Sequence, residues 1–252
     1  MTFPNDVPRS ISLDSQGHPI LPDEFVRDFG LEPGGEICLR ATPEGILLRP
    51  PLSQLRKVYI EPTSRCNLAC RTCIRNAWDE PLGYMSPETF QRILDNLAGR
   101  NPKPAVFFGG FGEPLMHPAI AEMVQRAGEV AAKVELITNG MLLGEELSTR
   151  LINARLNTLW VSLDGASPES YADVRLSESL KNILQNISRY RELYRQKHGS
   201  EADIGAVFVA MKRNLSELSK LIQMSSRLGV SRFLITNIMP YSAEMCSQTL
   251  YD

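Results

Sequence analysis

Six short apolar runs, each closed by small or polar residues, shape everything after residue 56: KVYIEPT (57–63), AVFFGG (105–110), KVELITN (133–139), NTLWVSLD (157–164), IGAVFVAM (204–211) and RFLITNIM (232–239). Strands this continuously apolar are buried on both faces, which is the habit of parallel sheets. Helical patterns fill the intervals. Ser86-Pro87 supplies an N-cap and a first-turn residue ahead of Phe90, Ile93, Leu94 and Leu97 at helical spacing, and Ser167-Pro168 repeats the device. Asn214 with Glu217 resembles a capping box ahead of Leu218, Leu221 and Ile222. Six strands with five intervening helices select an α/β architecture, a partial parallel (β/α)6 barrel that binds ligands at its C-terminal strand ends. This unit spans residues 53–252. Too little chain follows the sixth run to cover it, so the natural chain is expected to continue past Asp252.

The first fifty residues obey a different rule. Gly17, Pro19, Pro22, Pro33, Gly34 and Gly35 punctuate short strands around a small helix near Phe25 to Phe29. Ile37, Leu39, Ile46 and Leu48 suit a hairpin turning near Thr42 to Gly45, and Arg49-Pro50-Pro51 suits a stiff linker. So small a unit cannot build a good core alone, which favours pairing with a second copy. The order of Gly17, Ile20 to Pro22, the helix, and Leu31 to Gly35 resembles the AbrB-like swapped-hairpin module over roughly residues 9–50. That resemblance implies a small β-rich N-terminal domain, residues 1–52 with its linker, and a homodimer formed through it.

Charge narrows the partners. The 252 residues carry a net charge of −2, which gives no global pull toward nucleic acid or acidic membranes. MTFPND lacks the basic and apolar regions of a signal peptide, and no apolar stretch reaches membrane-spanning length, so the expected location is cytoplasmic. A DNA-binding regulator is the alternative from another class. Through Leu52, however, four arginines (Arg9, Arg27, Arg40, Arg49) face eight acids, the wrong sign for a phosphate-binding surface. His18 also stands where DNA-binding relatives of the module often place a basic residue. DNA binding is therefore disfavoured against dimerisation or partner docking.

Five cysteines remain, Cys38, Cys66, Cys70, Cys73 and Cys246, and three of them crowd into eight residues directly after the first strand. An odd, clustered set is not a secreted disulfide framework. Thiolates spaced by four and three residues on one loop can reach three corners of a cubane cluster, leaving one iron without a protein ligand. A structural zinc site wants four ligands, and the next downstream candidate, His117, is distant. Inert core cysteines would not gather on the loop at a barrel's catalytic face. One strand later comes Gly109-Gly110-Phe111-Gly112-Glu113-Pro114. Its glycines let the backbone approach a ligand closely, and Glu113 offers a carboxylate to a cation. Alone, that run reads more simply as a turn; its place beside the cysteines reverses the balance.

Given these motifs, residues 57–240 resemble the radical S-adenosylmethionine (SAM) superfamily, whose cysteines follow C-x3-C-x2-C at this position. Thr72 departs from the aromatic residue usual before the third cysteine. The resemblance implies a 4Fe–4S cluster on Cys66, Cys70 and Cys73, and reductive cleavage of SAM to a 5′-deoxyadenosyl radical. It implies an electron donor such as ferredoxin or flavodoxin. Gly109, Gly110 and Glu113 would hold the methionine amino group, and Arg175 its carboxylate. Thr138, Asn139 and Gly140, with Ser162, Asp164 and Gly165, would face ribose or substrate, and Thr236, Asn237 and Ile238 would flank adenine. The wording of KVYIEPTSRCN, RTCIRNAWDEPLG, FFGGFGEP, SLDGASPESYADVR and FVAMKRN resembles a maturase group associated with tungsten-containing aldehyde:ferredoxin oxidoreductases. An apo tungsten oxidoreductase or its cofactor is the implied target. The alternative is a SPASM-type peptide- or protein-modifying maturase. Those carry further cysteines after the barrel, where this sequence has only Cys246.

Overall fold

The computed structural model describes residues 11–28, 31, 34–43, 45–49, 55–176 and 179–251. It separates into two compact units, residues 1–55 and 56–252. The expected Pro50-Pro51 linker, Phe29 and Pro33 lie outside the described residues.

In the N-terminal unit, β1 (Ser12–Leu13) pairs antiparallel with β2 (Pro19–Ile20), α1 covers Asp23–Asp28, and β3 (Cys38–Thr42) pairs antiparallel with β4 (Gly45–Arg49). Asp14 closes the first turn: its Oδ1 accepts from the amides of Gln16 and His18, each at 2.8 Å. Gly17 sits at φ +85°, a backbone state that favours glycine. The second hairpin turns between Thr42 and Gly45, as its residues imply. Every residue of the unit whose burial is described is exposed or half-buried.

The second unit is a curled six-stranded sheet with helices. It contains β5 (Lys57–Ile60), β6 (Ala105–Phe108), β7 (Lys133–Thr138), β8 (Thr158–Ser162), β9 (Ile204–Ala210) and β10 (Arg232–Asn237). All pair in parallel and in chain order, so β5 and β10 are the two edges and the barrel is partial. The crossovers hold α2 (Pro87–Leu97), α3 (Ile120–Val130), α4 (Glu145–Asn153), α5 (Pro168–Arg175), α6 (Leu180–His198) and α7 (Leu218–Arg227), and α8 (Ala243–Ser247) comes after β10.

Alternate strand residues divide the two faces of the sheet. Val106, Phe108, Leu136, Val161 and Phe208 join Phe90, Leu94, Val124 and Ile187 of the helices in one core. Each such side chain contributes roughly 1.5–3 kcal/mol by burial. On the other face, Glu135 pairs with Lys57 and Lys133, each at 2.7 Å, while Lys57 lies over the Phe107 ring at 4.5 Å. Gly205 of β9 makes room for Trp160 of β8, since a Cβ there would stand 2.3 Å from the indole.

Three expectations need correction. The crossover from β8 to β9 holds two helices, α5 and α6, not one. The strands stop earlier than their apolar runs, because Glu61 to Thr63, Gly109, Asn139 and Asp164 belong to the loops beyond them. Asn214 stands at the N-cap position of the short turn Leu215–Glu217, but its side chain makes no capping hydrogen bond. It is buried, its Nδ2 donates to the carbonyls of Asp164 and Val209, and its Oδ1 accepts from Met211 N at 2.8 Å. Tertiary partners thus claim the side chain that the local pattern assigned to the helix. The two Ser-Pro starts do cap: Ser86 accepts from Thr89 N at 3.2 Å, and Ser167 forms a capping box with Ser170.

Candidate active site

Because every strand of the sheet runs the same way, the loops after their C-terminal ends gather at one rim. A cavity of about 220 Å³ opens there, with Cys66, Cys70 and Cys73 on its wall. Cys70 is buried; Cys66 and Cys73 are partly so. Two of the sulfurs have polar neighbours. Leu68 N donates to Cys66 Sγ at 3.5 Å, Asn139 Nδ2 approaches the same sulfur at 3.9 Å, and Arg175 Nη1 donates to Cys70 Sγ at 3.5 Å. Burial pushes both thiols up from their ordinary range, countered at Cys66 by the Leu68 amide and at Cys70 by the Arg175 charge.

The glycine loop after β6 is built against the cysteine loop. A Cβ on Gly112 would lie 1.8 Å from the Thr63 carbonyl oxygen, and Glu113 N donates to Arg65 O at 2.8 Å. Gly110, at φ +144°, presses on Glu61, whose Oε1 accepts from Phe111 N at 2.6 Å and Gly112 N at 3.0 Å. Glu113 is buried at the cavity wall. Its Oε1 accepts from Thr138 Oγ1 at 2.7 Å and Leu115 N at 3.0 Å, and its Oε2 from Asn139 N at 2.7 Å. Burial pushes this carboxyl up, while those donors pull it back.

The cavity collects Gly110, Glu113, Asn139, Ser162 and Arg175 around the thiols. Gly109, Asp164 and Asn237 are not on its wall. Gly109 serves strand packing, since a Cβ there would meet Ile137 at 2.6 Å and Phe107 at 2.7 Å. Asp164 is fully buried, accepts from Val209 N at 2.8 Å and pairs with Arg175. Burial alone would lower the Arg175 pKa, but Asp164 and Cys70 beside it hold it above its ordinary value. Asn237 is exposed at the end of β10; two residues on, Met239 reaches the cavity, while Ile238 is buried in a small separate cluster. Thr138 lines the cavity beside Asn139, whereas sequence reasoning passed over Met239 on its wall and Glu61, which clamps the glycine loop. Glu61 carried a readable signal, a charge closing an apolar strand.

Among the described residues, no three Cys, His, Asp or Glu side chains converge on a single ion. A cubane cluster does not require that, because each thiolate binds a different iron. Three thiols share one wall, and N–H donors are aimed at the Cys66 and Cys70 sulfurs, one of them from the largely buried Arg175 guanidinium. That donor set suits an anionic iron–sulfur cluster.

The model of the radical SAM superfamily matches residues 60–204, and the chain belongs to that superfamily: it holds the catalytic domain of a radical SAM enzyme. Among curated proteins it is 30% identical over 199 residues to the tungsten-containing aldehyde ferredoxin oxidoreductase cofactor-modifying protein of Pyrococcus furiosus, covering 79% of this chain and 56% of that one. It is 25% identical over 195 residues to the PqqA peptide cyclase of Granulibacter bethesdensis, covering 77% and 49%. The fold matches Streptococcus suis SuiB bound to the precursor peptide SuiA with a TM-score of 0.65 at 19% identity, over 80% of this chain and 43% of that one. The chain spans about half the length of the curated relatives it matches. No described helix is long and apolar enough to cross a membrane.

Proposed function

We propose that Cys66, Cys70 and Cys73 hold a 4Fe–4S cluster, and that the chain cleaves SAM reductively to modify a peptide or protein. One observation carries this reading: three thiols and the Gly110–Glu113 loop share a single cavity at the C-terminal rim of a parallel half-barrel. Held by Cys66, Cys70 and Cys73, such a cluster would supply one-electron reduction for cleavage of bound SAM.

The protein's own groups do the positioning. Glu113, held by Thr138, Asn139 and Leu115, presents a preorganised carboxylate for the methionine amino group, with Gly110 on the same cavity wall. Arg175 supplies positive charge at Cys70 and toward the cofactor carboxylate, steadied by Asp164. Asn139 and Ser162 offer polar contacts to ribose or substrate; Asn237 would act on adenine from the edge of the rim.

A peptide or protein target is supported by the likeness to a peptide cyclase along three quarters of the chain. The second reading, maturation of a tungsten-containing oxidoreductase or its cofactor, rests on the 30% identity to the Pyrococcus furiosus protein. Ferredoxin or flavodoxin would supply electrons. Residues 1–52 would form an AbrB-like module that pairs with a second copy or docks a partner, with DNA binding disfavoured by its acidic excess.

Anaerobic reconstitution with iron and sulfide, then reductant and SAM, tests the core of the proposal: 5′-deoxyadenosine should form. Adding candidate precursor peptides or apo-oxidoreductase, with mass spectrometry of each, separates the two target readings. A protein that binds iron in no cubane form, or leaves SAM intact, would sink the assignment.

A further inference from the structure

The segment after the last strand reaches back to the loop after the first. Arg71 sits between Cys70 and Cys73, and distant chain holds it by backbone and side chain alike. Its amide donates to Val174 O at 2.9 Å, and its carbonyl accepts from Tyr241 Oη at 3.0 Å. Its Nε donates to Asp173 O at 3.0 Å, and Nη1 meets Glu244 Oε1 at 3.0 Å. Arg213, in the loop after β9, completes a quartet: Nη1 meets Asp173 Oδ2 at 3.0 Å and Nη2 meets Glu244 Oε1 at 3.1 Å. Arg71 Nη2 also meets Asp173 Oδ1 at 3.4 Å, so two guanidinium groups share two carboxylates.

An exposed ion pair by itself holds little in place. Here the charges are anchored. Beneath them Met245 packs with Val174, Met211 and Ile238 in a small buried cluster, with Tyr241 against it. Gln248 adds a further tie, accepting from Arg213 N at 3.1 Å. The sheet leaves its edges β5 and β10 unpaired to one another, and residues 241–248, beyond β10, tie themselves to the cysteine loop beyond β5.

We propose that residues 241–248 form a strap that positions the cysteine loop, with Tyr241 and Glu244 as its positioning residues. The inference rests on the cluster site proposed above. Removing the Glu244 charge leaves Arg71 and Arg213 with Asp173 alone, and like charges then press apart beside the loop. Removing the Tyr241 hydroxyl frees the Arg71 carbonyl while keeping the ring's packing. Either change lets the Cys70–Cys73 segment open more often without unfolding the barrel.

The test uses the full chain without a cluster. Pulse alkylation with iodoacetamide, read cysteine by cysteine by mass spectrometry, reports how often each thiol is open. Glu244→Gln and Tyr241→Phe should each raise alkylation at Cys70 and Cys73 by about threefold to tenfold, with Cys38 unchanged as the internal standard. Molar salt should move the wild-type protein toward Glu244→Gln and leave that variant nearly unaffected. Glu192→Gln, which breaks a comparable exposed pair with Arg195 on α6, should change nothing. In reconstituted protein, the two strap variants should also shift the cluster's midpoint potential. Wild-type alkylation in both strap variants, or an equal rise in Glu192→Gln, overturns the strap. If no cluster forms in the wild-type chain, the proposed function fails, while alkylation still decides the strap.

Discussion

Ile46 on β4 and Val161 on β8 are both β-branched residues in short apolar strands, yet Ile46 is 75% exposed and Val161 is wholly buried. The local signal is the same; the fate differs because β8 has a strand on each side and helices against one face, whereas the β3–β4 ribbon has no second layer among the described residues of its own unit. A strand pattern promises a face that needs covering and does not say what covers it. In the barrel the same chain supplies the cover. In the N-terminal unit Leu13, Ile20, Leu39 and Ile46 are exposed, which supports the self-association proposed for that region.

The sharpest way to break this comparison is through the cysteines. Cys70→Ser, at the buried thiol of the cysteine loop, should abolish cluster assembly and SAM cleavage, whereas Cys38→Ser on exposed β3 should leave both intact. Iron and sulfide analysis with a 5′-deoxyadenosine assay reads the pair, and full activity in Cys70→Ser would refute the ligand set.

Next in size is core truncation. Phe108→Ala should cost about 3–5 kcal/mol of barrel stability in urea unfolding, because it leaves a cavity among fully buried neighbours. Leu39→Ala, at 68% exposure, should cost the isolated protomer under about 0.5 kcal/mol yet weaken self-association in analytical ultracentrifugation. A strictly monomeric wild-type chain would remove the need for a covering partner.

Glycines sharpen the contrast on a smaller scale. Gly112→Ala drives a methyl into the Thr63 carbonyl and should cost about 1–3 kcal/mol, together with the fit of the glycine loop to the cysteine loop. Gly17→Ala meets open space and carries only the backbone strain of φ +85°, on the order of 1 kcal/mol. Thermal melts of the two variants should rank in that order.

The smallest effect is electrostatic. Burial would raise the Glu135 carboxyl, but Lys133 and Lys57 hold it below its ordinary 4.5. A depressed carboxylate stabilises the fold above its unfolded pKa, and that contribution is lost as pH falls through the folded value. Unfolding free energy should therefore decline below about pH 4.5, by under about 1 kcal/mol after solvent screening, and Glu135→Gln should flatten that decline. An unchanged slope would make the Lys57–Glu135–Lys133 ladder electrostatically idle.

The sequence by itself determined what depends on local pattern: the six strands and their parallel order, the Ser86 and Ser167 caps, the hairpin at Thr42–Gly45, and the three cysteines on one loop. Each comes from spacing along a few residues, where period and turn chemistry act directly. Only the tertiary structure decided which side chains face one another across strands. Asn214, a cap by pattern, became a bridge between the β8 and β9 loops. Glu61, unremarked in its run, became the clamp of the glycine loop. Asp164 and Gly109 left the cavity for packing, and Met239 entered it from just beyond β10. The reason is physical: a buried hydrogen-bonding group takes whichever partner the packed layers bring within reach, and sequence spacing does not encode that distance.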